Sequence, residues 1–363
     1  MVRGGEKKLR SAFKKFKSFK SFKTLRNWSA PLKRLTLAII FFWSLLVISA
    51  NAAEPPTKFL LAYGAIGGNA MPLWIAKEQG IFRRYNLDPQ LIYIIAGRAM
   101  QSMIAGDIQF GLLGASHVTN AVTAGGDMTM LLGMEDKLNY FLNVRPGIKS
   151  PEDLKGKKVG IGTPSGSLAM ATYVGLDQLG LVPRRDRITL LNTGSTPERM
   201  SSLFAGGIDA AFFNPEVEQV VLQQGFPMLF DLGKANVPYQ ASGLVTSRKY
   251  MRSNPLIVEN LAKAVIEGAA FVQNPANKKT VVDSIARNLR LDRPDRLESA
   301  YRAIADTVPR KPCPNLAGIA SVLKLMTQHG INPKAAELKP EDIADMSLCK
   351  KLDDTGFFNR VHQ

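Results

Sequence analysis

A glycine-rich turn, GIGTPSGS at residues 160–167, could bind a negatively charged group, because it lies between a strand-like run and a helix-like run. It is not a P-loop, since the lysine that binds phosphate is missing. It is not a dinucleotide fingerprint either: Ser165 replaces the last glycine of the pattern, and the next strand-like run ends without an acidic residue for a ribose. We therefore interpret the turn as a helix N-terminus, whose unpaired N–H groups accept an anion or a carbonyl oxygen.

Three residues of this turn are candidate ligand contacts: Ser165, Gly166 and Ser167. Gly166 would allow a ligand to approach the backbone closely, and either serine could donate a hydrogen bond from its hydroxyl. The alternative is that Ser165 only caps the helix, since serine is a preferred residue at that position.

Further candidates follow the other strand-like runs, because ligands of open α/β sheets bind beyond the carboxyl ends of the strands. Arg98 is the predicted partner of an anion, although it could equally form a surface salt bridge. Glu216 would suit an amino group, or is simply an acid in the first turn of a helix. His117 is either a ligand contact or a structural residue at a helix N-terminus. The remaining predicted contacts are Ile66, Asn69, Ser116, Ser195 and Asn214.

Aromatic residues near these turns could form apolar walls of the site. They are Tyr63, Trp74, Tyr140, Phe213 and Tyr239. For Trp74, a position in the hydrophobic core is the alternative.

The elements that must position these residues alternate between short apolar runs and amphipathic runs from Lys58 onward. This alternation predicts a largely parallel sheet covered by helices on both faces. The series then starts again at a spacing near one hundred residues: Gly80-Ile81 corresponds to Gly180-Leu181, and residues 100–109 correspond to residues 200–209. Several matches in one register predict two similar α/β lobes.

The lobe boundaries follow from where each series ends. Lobe I is predicted to comprise residues 53–143 and 242–363, and lobe II residues 144–241. Helices are predicted in the last part of lobe I over residues 278–289, 294–307 and 316–329. Because the chain leaves lobe I and returns to it, a hinge of two segments is expected near residues 144–149 and 241–245.

The basic charge of the chain is concentrated before residue 35. The net charge is +17, but residues 1–34 alone hold twelve Lys/Arg and a single acid, and no dense basic run follows, which argues against nucleic-acid binding. The apolar stretch LTLAIIFFWSLLVIS and the small-x-small site Ala50-Asn51-Ala52 come next, so we predict a signal peptide over residues 1–52, cleaved after Ala52. The alternatives are an uncleaved membrane anchor, which usually needs roughly 20 apolar residues, and a translation start downstream of the basic region.

The two cysteines, Cys313 and Cys349, could pair after export to an oxidising compartment, or could remain two buried thiols. The three histidines (His117, His329 and His362) are scattered, and none lies at metal-ligand spacing from a cysteine. No metal site is therefore predicted.

Residues 57–358 resemble the extracytoplasmic solute-binding proteins of ABC importers, in particular those for nitrate, alkanesulfonates, taurine and thiamine-precursor pyrimidines. The resemblance is carried by PLWIAKEQGIFRRYNLD (residues 72–88), the repeated A-G-x-I elements, KSPEDLKGKKVGIGTPSGS (residues 149–167) and DMSLCKKLDDTGFF (residues 345–358). Gln109 stands where the pattern has an aspartate, a departure that we expect to alter only a surface turn.

The resemblance implies an α/β fold of the type II periplasmic-binding-protein class, with two similar doubly wound lobes joined by a two-segment hinge. It implies a periplasmic or otherwise extracytoplasmic monomer that binds a small organic or inorganic solute, uses no cofactor, has no catalytic residues and delivers the solute to an ABC permease in the cytoplasmic membrane. An anion is predicted from the glycine-rich turn and Arg98, whereas Glu216 would favour an amino group. Two alternatives share this fold. One is an enzyme similar to thiamine-pyrimidine synthases, although these rely on a histidine and a Cys-rich motif that are absent here. The other is the sensor domain of a regulator, although no helix-turn-helix segment precedes the lobes.

Overall fold

The computed structural model describes residues 55–64, 68–162, 166–305 and 308–363. The predicted signal peptide lies outside these residues, as do Ile66 and Ser165; the backbone of Ser167 and Glu216 is described, but not their side chains. Pro56–Gln363 form one compact unit. Within the described part of the chain, no helix is long and apolar enough to cross a membrane.

Ten β-strands in the described residues form two separate sheets of five strands each. The strands are β1 (Thr57–Tyr63), β2 (Leu87–Tyr93), β3 (Phe110–Leu113), β4 (Met128–Glu135), β5 (Phe141–Val144), β6 (Lys158–Ile161), β7 (Thr189–Asn192), β8 (Ala210–Phe213), β9 (Met228–Asp231) and β10 (Ser242–Ser247). The strand order is β2-β1-β3-β10-β4 in the first sheet and β7-β6-β8-β5-β9 in the second. In each sheet the first three strands are parallel, and the fourth, β10 or β5, is antiparallel to both of its neighbours. The predicted pair of similar α/β units is confirmed.

Fifteen α-helices lie among the described residues, most of them between strands or after β10. They are α1 (Met71–Glu78), α2 (Ile81–Arg84), α3 (Ala96–Ala105), α4 (Ala115–Thr123), α5 (Ser167–Gln178), α6 (Thr196–Phe204), α7 (Pro215–Gln223), α8 (Arg248–Ser253), α9 (Pro255–Gln273), α10 (Lys278–Leu289), α11 (Pro294–Ala305), α12 (Leu316–Gln328), α13 (Pro340–Ile343), α14 (Ser347–Asp354) and α15 (Phe357–Val361). The helices predicted in the last part of the chain correspond to α10, α11 and α12.

The internal repeat extends to individual backbone angles. Gly80 and Gly180 both have a left-handed backbone after a helix, with φ of +66° and +70°, and Gly106 and Gly206 do the same, with φ of +90° and +77°. Left-handed φ is strained for residues with a Cβ, so glycine at these helix ends satisfies the same local requirement in both units.

Gln109 does more than occupy a surface turn, which corrects the expectation from the sequence. Its side-chain Oε1 accepts a hydrogen bond from the backbone N–H of Leu60 in β1, at 3.0 Å. In the second unit, Asp209 Oδ2 accepts from the backbone N–H of Lys158 in β6, at 2.9 Å. The amide therefore takes over the acceptor role of the carboxylate and joins the turn to the strand in the same way.

The chain crosses between the sheets twice. The first crossing is residues 136–140, since β4 ends at Glu135 and β5 begins at Phe141 in the second sheet; the second crossing is residues 232–241, between β9 and β10. The first crossing therefore precedes the hinge segment predicted at residues 144–149, and β5 belongs to the second sheet although most of it lies before the predicted boundary at residue 143. The sequence does not indicate this strand clearly, because its four residues are followed by Arg145, Pro146 and Gly147.

Pairing across the strands shows which edges of the sheets the crossings join. Phe141 at the start of β5 pairs with Phe213 at the carboxyl end of β8, and Ser242 at the start of β10 pairs with Glu135 at the carboxyl end of β4. Both crossings therefore connect the carboxyl edge of one sheet to the carboxyl edge of the other. Five residues span at most roughly 20 Å, so these two edges lie close together.

Two C-terminal helices contact both units. α12 packs against α4 of the first unit and α5 of the second, and α11 packs against α7 of the second unit and against the turn of 3-10 helix at Gly68–Ala70 in the first. One continuous cluster of buried side chains includes Met130 and Leu142 from the two sheets and Ile319 from α12.

A disulfide joins Cys313 to Cys349, whose Cα atoms are 5.6 Å apart, a distance typical of disulfides. Cys349 lies on α14, and Cys313 lies in the segment before α12. The backbone N–H of Gly133 in β4 donates to the carbonyl of Pro312 at 3.0 Å, so this segment is held against the first sheet. The prediction that the two cysteines pair is confirmed.

Candidate functional site

The carboxyl edges of the two sheets carry the N-termini of five helices, α3 and α4 in the first unit and α5, α6 and α7 in the second. This edge-to-edge region, which we call the cleft, contains most of the residues predicted to contact a ligand. Buried polar atoms without a hydrogen-bond partner are uncommon in folded proteins. Their positions are therefore informative here.

On the first unit, Ser116 and His117 occupy the first turn of α4. Ser116 is 1% exposed and His117 8% exposed, and neither the hydroxyl Oγ nor the imidazole Nδ1 has a hydrogen-bond partner in the part of the chain that the structure describes. Burial lowers the pKa of His117 to about 4. At neutral pH this edge therefore presents an uncharged imidazole and a hydroxyl, both able to donate or accept a hydrogen bond.

Asn69 lies in the turn of 3-10 helix that leads into α1. Its side chain is partly buried, and its Oδ1 has no hydrogen-bond partner among the described residues. An unpaired amide oxygen is an acceptor that could take a hydrogen bond from a ligand or from water.

Two further polar side chains are Tyr239, on the second crossing, and Ser242, the first residue of β10. Both side chains are buried, and neither the phenol OH nor the serine Oγ has a hydrogen-bond partner among the described residues. Burial raises the pKa of Tyr239 well above its usual value, and the neighbouring Tyr140 and Glu135 raise it further, so the phenol stays protonated. Ser242 was not singled out from the sequence, because a serine at the start of a strand carries no signal of its own.

On the second unit, Asn214 is the residue before α7, and its buried Oδ1 also lacks a partner. Gly166 is buried and directly precedes α5 in an extended backbone conformation. Ser195 instead serves its own helix: its backbone N–H donates to Glu198 Oε2 at 2.6 Å, an interaction that caps α6. Hydrogen bonds from Ser195 also lower the pKa of Glu198.

Arg199, on α6, is a second functional candidate that was not predicted from the sequence. It is 4% exposed, its Nη2 donates to Thr196 Oγ1 at 3.1 Å, and its guanidinium lies over the ring of Phe213, 5.2 Å from the centroid. Its Nε has no partner. Burial lowers its pKa to about 10, so it remains charged at neutral pH. The only signal in the sequence is its position one turn before Leu203, which places it on the buried face of the helix.

Arg98, the predicted anion partner, is exposed on the first turn of α3 and forms no ion pair with any described residue. Ile66, Ser165 and the side chains of Ser167 and Glu216 fall outside the described atoms. The predicted apolar walls include Phe213 and Tyr239, both fully buried, whereas Trp74 belongs to the core of the first unit and meets Tyr63 edge to face at 5.9 Å.

Hydroxyl, amide, imidazole and guanidinium groups thus gather at the cleft, a set suited to binding a small polar molecule by hydrogen bonds. Three more unpartnered atoms lie on other elements, namely Asn143 Oδ1 on β5, Gln273 Oε1 on α9 and Arg296 Nε on α11. Among the described residues, no group of three His, Cys, Asp or Glu side chains could hold a metal ion.

A separate groove of about 600 Å³ lies beside the edge strand β7 and is lined by Thr193, Gly194, Glu198 and Ser202 among others. Glu198 and Ser202 project from α6 on a different face from Arg199 and Leu203. None of the unpartnered buried atoms lines this groove. We therefore place the candidate site in the cleft.

Comparison with known proteins identifies the family of the chain. Residues 68–278 match the model of the family described as NMT1/THI5 like. A binding protein of Brucella abortus (strain 2308) is 25% identical over 230 residues, which is 60% of this chain and 67% of the relative.

Solved structures with the same fold include the periplasmic aliphatic sulphonate binding protein of Escherichia coli (TM-score 0.61, 20% identity, 77% of this chain and 90% of that one). They also include the periplasmic nitrate-binding protein of Synechocystis PCC 6803 (TM-score 0.65, 14% identity, 84% and 90%). A desulfurization enzyme has the fold as well (TM-score 0.57, 16% identity, 82% and 99%). At these identities the likeness concerns the fold.

Proposed function

The chain belongs to the NMT1/THI5-like family, and on this premise we propose that it is the solute-binding component of an ABC-type uptake system. It captures a small solute in the cleft between its two α/β units and delivers it to a permease in the cytoplasmic membrane. The sulphonate- and nitrate-binding proteins that share its fold make this role the one best supported.

The observation that carries the proposal is the set of unpartnered polar atoms on both sides of the cleft. Ser116 and His117 lie on the first unit, Asn214 and Arg199 on the second, and Tyr239 between them on a crossing. Leaving a buried polar group unpaired costs about 1–3 kcal/mol. A solute that bonds to several of these groups would bind both units and favour their approach.

We propose that the protein binds its solute without converting it, because the buried hydroxyl groups at the cleft have no hydrogen bond to a side chain that could act as a general base. No His, Asp or Glu among the described residues is hydrogen-bonded to Ser116 or Ser242. The fold alone does not decide this, since one fold can support binding or catalysis. Recovery of the bound solute unchanged after prolonged incubation, measured by mass spectrometry, would agree with binding; conversion to a product would contradict it.

We propose an anion as the solute, contacted by the N-terminus of α5 at Ser165, Gly166 and Ser167 and by Arg98 from the first unit. A helix N-terminus stabilises a negative charge by roughly 0.3–2 kcal/mol. Ile66, Asn69, Ser116, His117, Ser195 and Asn214 complete the proposed contacts. Glu216 opposes an anion and would favour an amino group instead.

The test is a thermal-shift screen of the purified protein with nitrate, alkanesulfonates, carboxylates and aminopyrimidines, followed by calorimetry of each hit. Stabilisation by one class of anion at micromolar to millimolar concentration is the expected result. If only neutral or cationic compounds stabilise the protein, the anion proposal is wrong while solute binding stands. If nothing binds in any class, the proposed function itself fails.

Export and closure of two lobes complete the proposal. We propose that the chain is secreted by its predicted signal peptide and acts in the periplasm as a monomer, so N-terminal sequencing of the secreted protein should begin at Ala53.

The two lobes should approach each other when the solute binds. X-ray scattering profiles that do not change at saturating solute would contradict closure.

A further inference from the structure

Arg199 is a buried cation without a partner of opposite charge among the side chains that the structure describes. Its guanidinium has five N–H donors, and among the described side chains it has a single hydrogen bond, to Thr196. Tyr140 is the group whose electrostatic interaction favours this charge. An isolated buried charge is strongly unfavourable unless it is paired and hydrogen-bonded.

Three independent contacts place this guanidinium at the cleft. Thr196 is the first residue of α6, Phe213 is the last residue of β8, and Tyr140 directly precedes β5. Each of these positions belongs to the carboxyl edge of the second sheet. The side chain therefore runs back toward the N-terminus of its helix, as helical side chains do.

The chemistry of the group defines what it can bind. A guanidinium is a planar fork that matches the oxygens of a carboxylate, nitrate or sulfonate better than the point charge of a lysine does. The ring of Phe213 beneath it fixes its plane and excludes water from one face. Asn214, next in sequence, adds an acceptor that could bind a donor on the same solute.

We propose that Arg199 is the anchor for the oxyanion group of the captured solute, a proposal that rests on the solute-binding function above. The charge is retained in the ligand-free protein although it is unfavourable there, and the solute provides its counterion. Glu216 is the competing counterion, since it lies two residues beyond Asn214 and its side chain is not described.

The experiment compares Arg199→Met, Arg199→Lys and the wild type in two measurements. Calorimetric titration uses nitrate, methanesulfonate and acetate, with dimethyl sulfone as a neutral isostere of methanesulfonate and an aminopyrimidine as a neutral solute. Urea unfolding is then measured without solute. Arg184→Met is the matched control, because it removes an exposed arginine from the same unit near the opposite end of β7.

Arg199→Met should weaken binding of the anion that the wild type prefers by roughly ten- to a hundredfold, the effect of losing hydrogen bonds to a charged group. The anion affinity of Arg199→Lys should lie between those of Arg199→Met and the wild type. Arg184→Met should bind the anion as tightly as the wild type does. Without solute, Arg199→Met should be at least as resistant to urea as the wild type, since it removes a buried charge that has no partner.

Equal anion affinity of Arg199→Met and the wild type would overturn the assignment and leave solute binding intact. Arg199→Met and Glu216→Gln could instead destabilise the protein equally, with no further loss of stability in the double variant. That result would assign Arg199 to an internal ion pair with Glu216 and would also overturn its assignment as the anchor. Binding of the aminopyrimidine alone would remove the anchor but keep the proposed function, whereas no binding of any probe would remove both.

Discussion

The side-chain amide of Gln240 donates a hydrogen bond to the backbone carbonyl of Glu135 at 3.1 Å, and this contact joins the second crossing to the end of β4, where the first crossing begins. Gln240 Nε2 also donates to the carbonyl of Ser242 at 2.8 Å, while its Oε1 accepts from the backbone N–H of Asn315 at 2.8 Å. The residue is fully buried. One side chain thus ties both crossings to the segment that leads into α12.

Gln240→Leu should destabilise the protein by about 2–3 kcal/mol, because it leaves the partly buried N–H of Asn315 without its acceptor and removes two further bonds. The measurement is the free energy of unfolding in urea. Gln101→Leu is a matched control on an exposed position of α3. A Gln240→Leu variant within about 0.5 kcal/mol of the wild type, the range of ordinary surface substitutions, would show that the crossings do not depend on this contact.

A second contact links α12 to the second unit. The ring of His329, just after α12, stacks on the ring of Tyr173 in α5 with centroids 4.3 Å apart, and its Nε2 lies 3.1 Å from Asp177 Oδ2. Aromatic pairs contribute about 0.5–1.5 kcal/mol beyond their burial. Because α12 also packs on α4 of the first unit, this contact favours the arrangement in which the two units are close.

His329→Ala should therefore shift the solute-free protein toward an open arrangement by roughly two- to tenfold, as expected for a loss of that size. Small-angle X-ray scattering should give a larger radius of gyration than for the wild type. His362→Ala is the control, since the ring of His362 forms its hydrogen bond with the carbonyl of Arg310, within the C-terminal region. Superimposable scattering curves for His329→Ala and the wild type would count against this contribution.

The disulfide should be a measurable part of the stability. Cys313 and Cys349 are separated by 36 residues, and a loop of that length is expected to stabilise the folded state by about 3–4 kcal/mol through the unfolded chain. Reduction with dithiothreitol, or replacement of both cysteines by serine, should lower the free energy of unfolding by that amount. The double serine variant must not respond to dithiothreitol; a response would trace the loss to something other than the disulfide.

The sequence predicted the repeated α/β units because the repeat is written in local signals. Glycines with positive φ end equivalent helices at a fixed spacing, and apolar runs mark β1, β3, β6 and β8. β5 was not predicted, since its four residues form a strand only by pairing with β8 and β9, which follow it by many residues. The first crossing, at residues 136–140, was predicted too late in the sequence for the same reason.

The sequence predicted where the candidate site lies in the fold, but it indicated only some of the side chains that we place there. Asn69, Ser116, His117 and Asn214 follow strand-like runs, and their unpartnered atoms agree with that prediction. Arg199 escaped notice because it lies one turn inside a helix, where the sequence gives the helical phase but not the direction of a long side chain. Arg98, on the first turn of α3, is exposed, which the sequence pattern alone does not determine.

Acid should destabilise the folded protein through His117. Burial lowers its pKa to about 4, whereas an imidazole in the unfolded chain titrates near 6.5. The unfolded state therefore takes up a proton first as the pH falls. The contribution of neutral His117 is complete above pH 6.5 and is lost between pH 6.5 and about 4, by at most roughly 3 kcal/mol.

The measurement is the free energy of unfolding of the wild type and of His117→Gln at several pH values from 7.5 to 4.5. Other titrating groups are common to both proteins and cancel in the difference, so the wild type should lose stability relative to the variant as the pH falls. A constant difference across this range would mean that the imidazole is protonated equally in the folded and unfolded chains. His117 would then be charged at the cleft in acid, and its Nδ1 could only donate a hydrogen bond to a solute there.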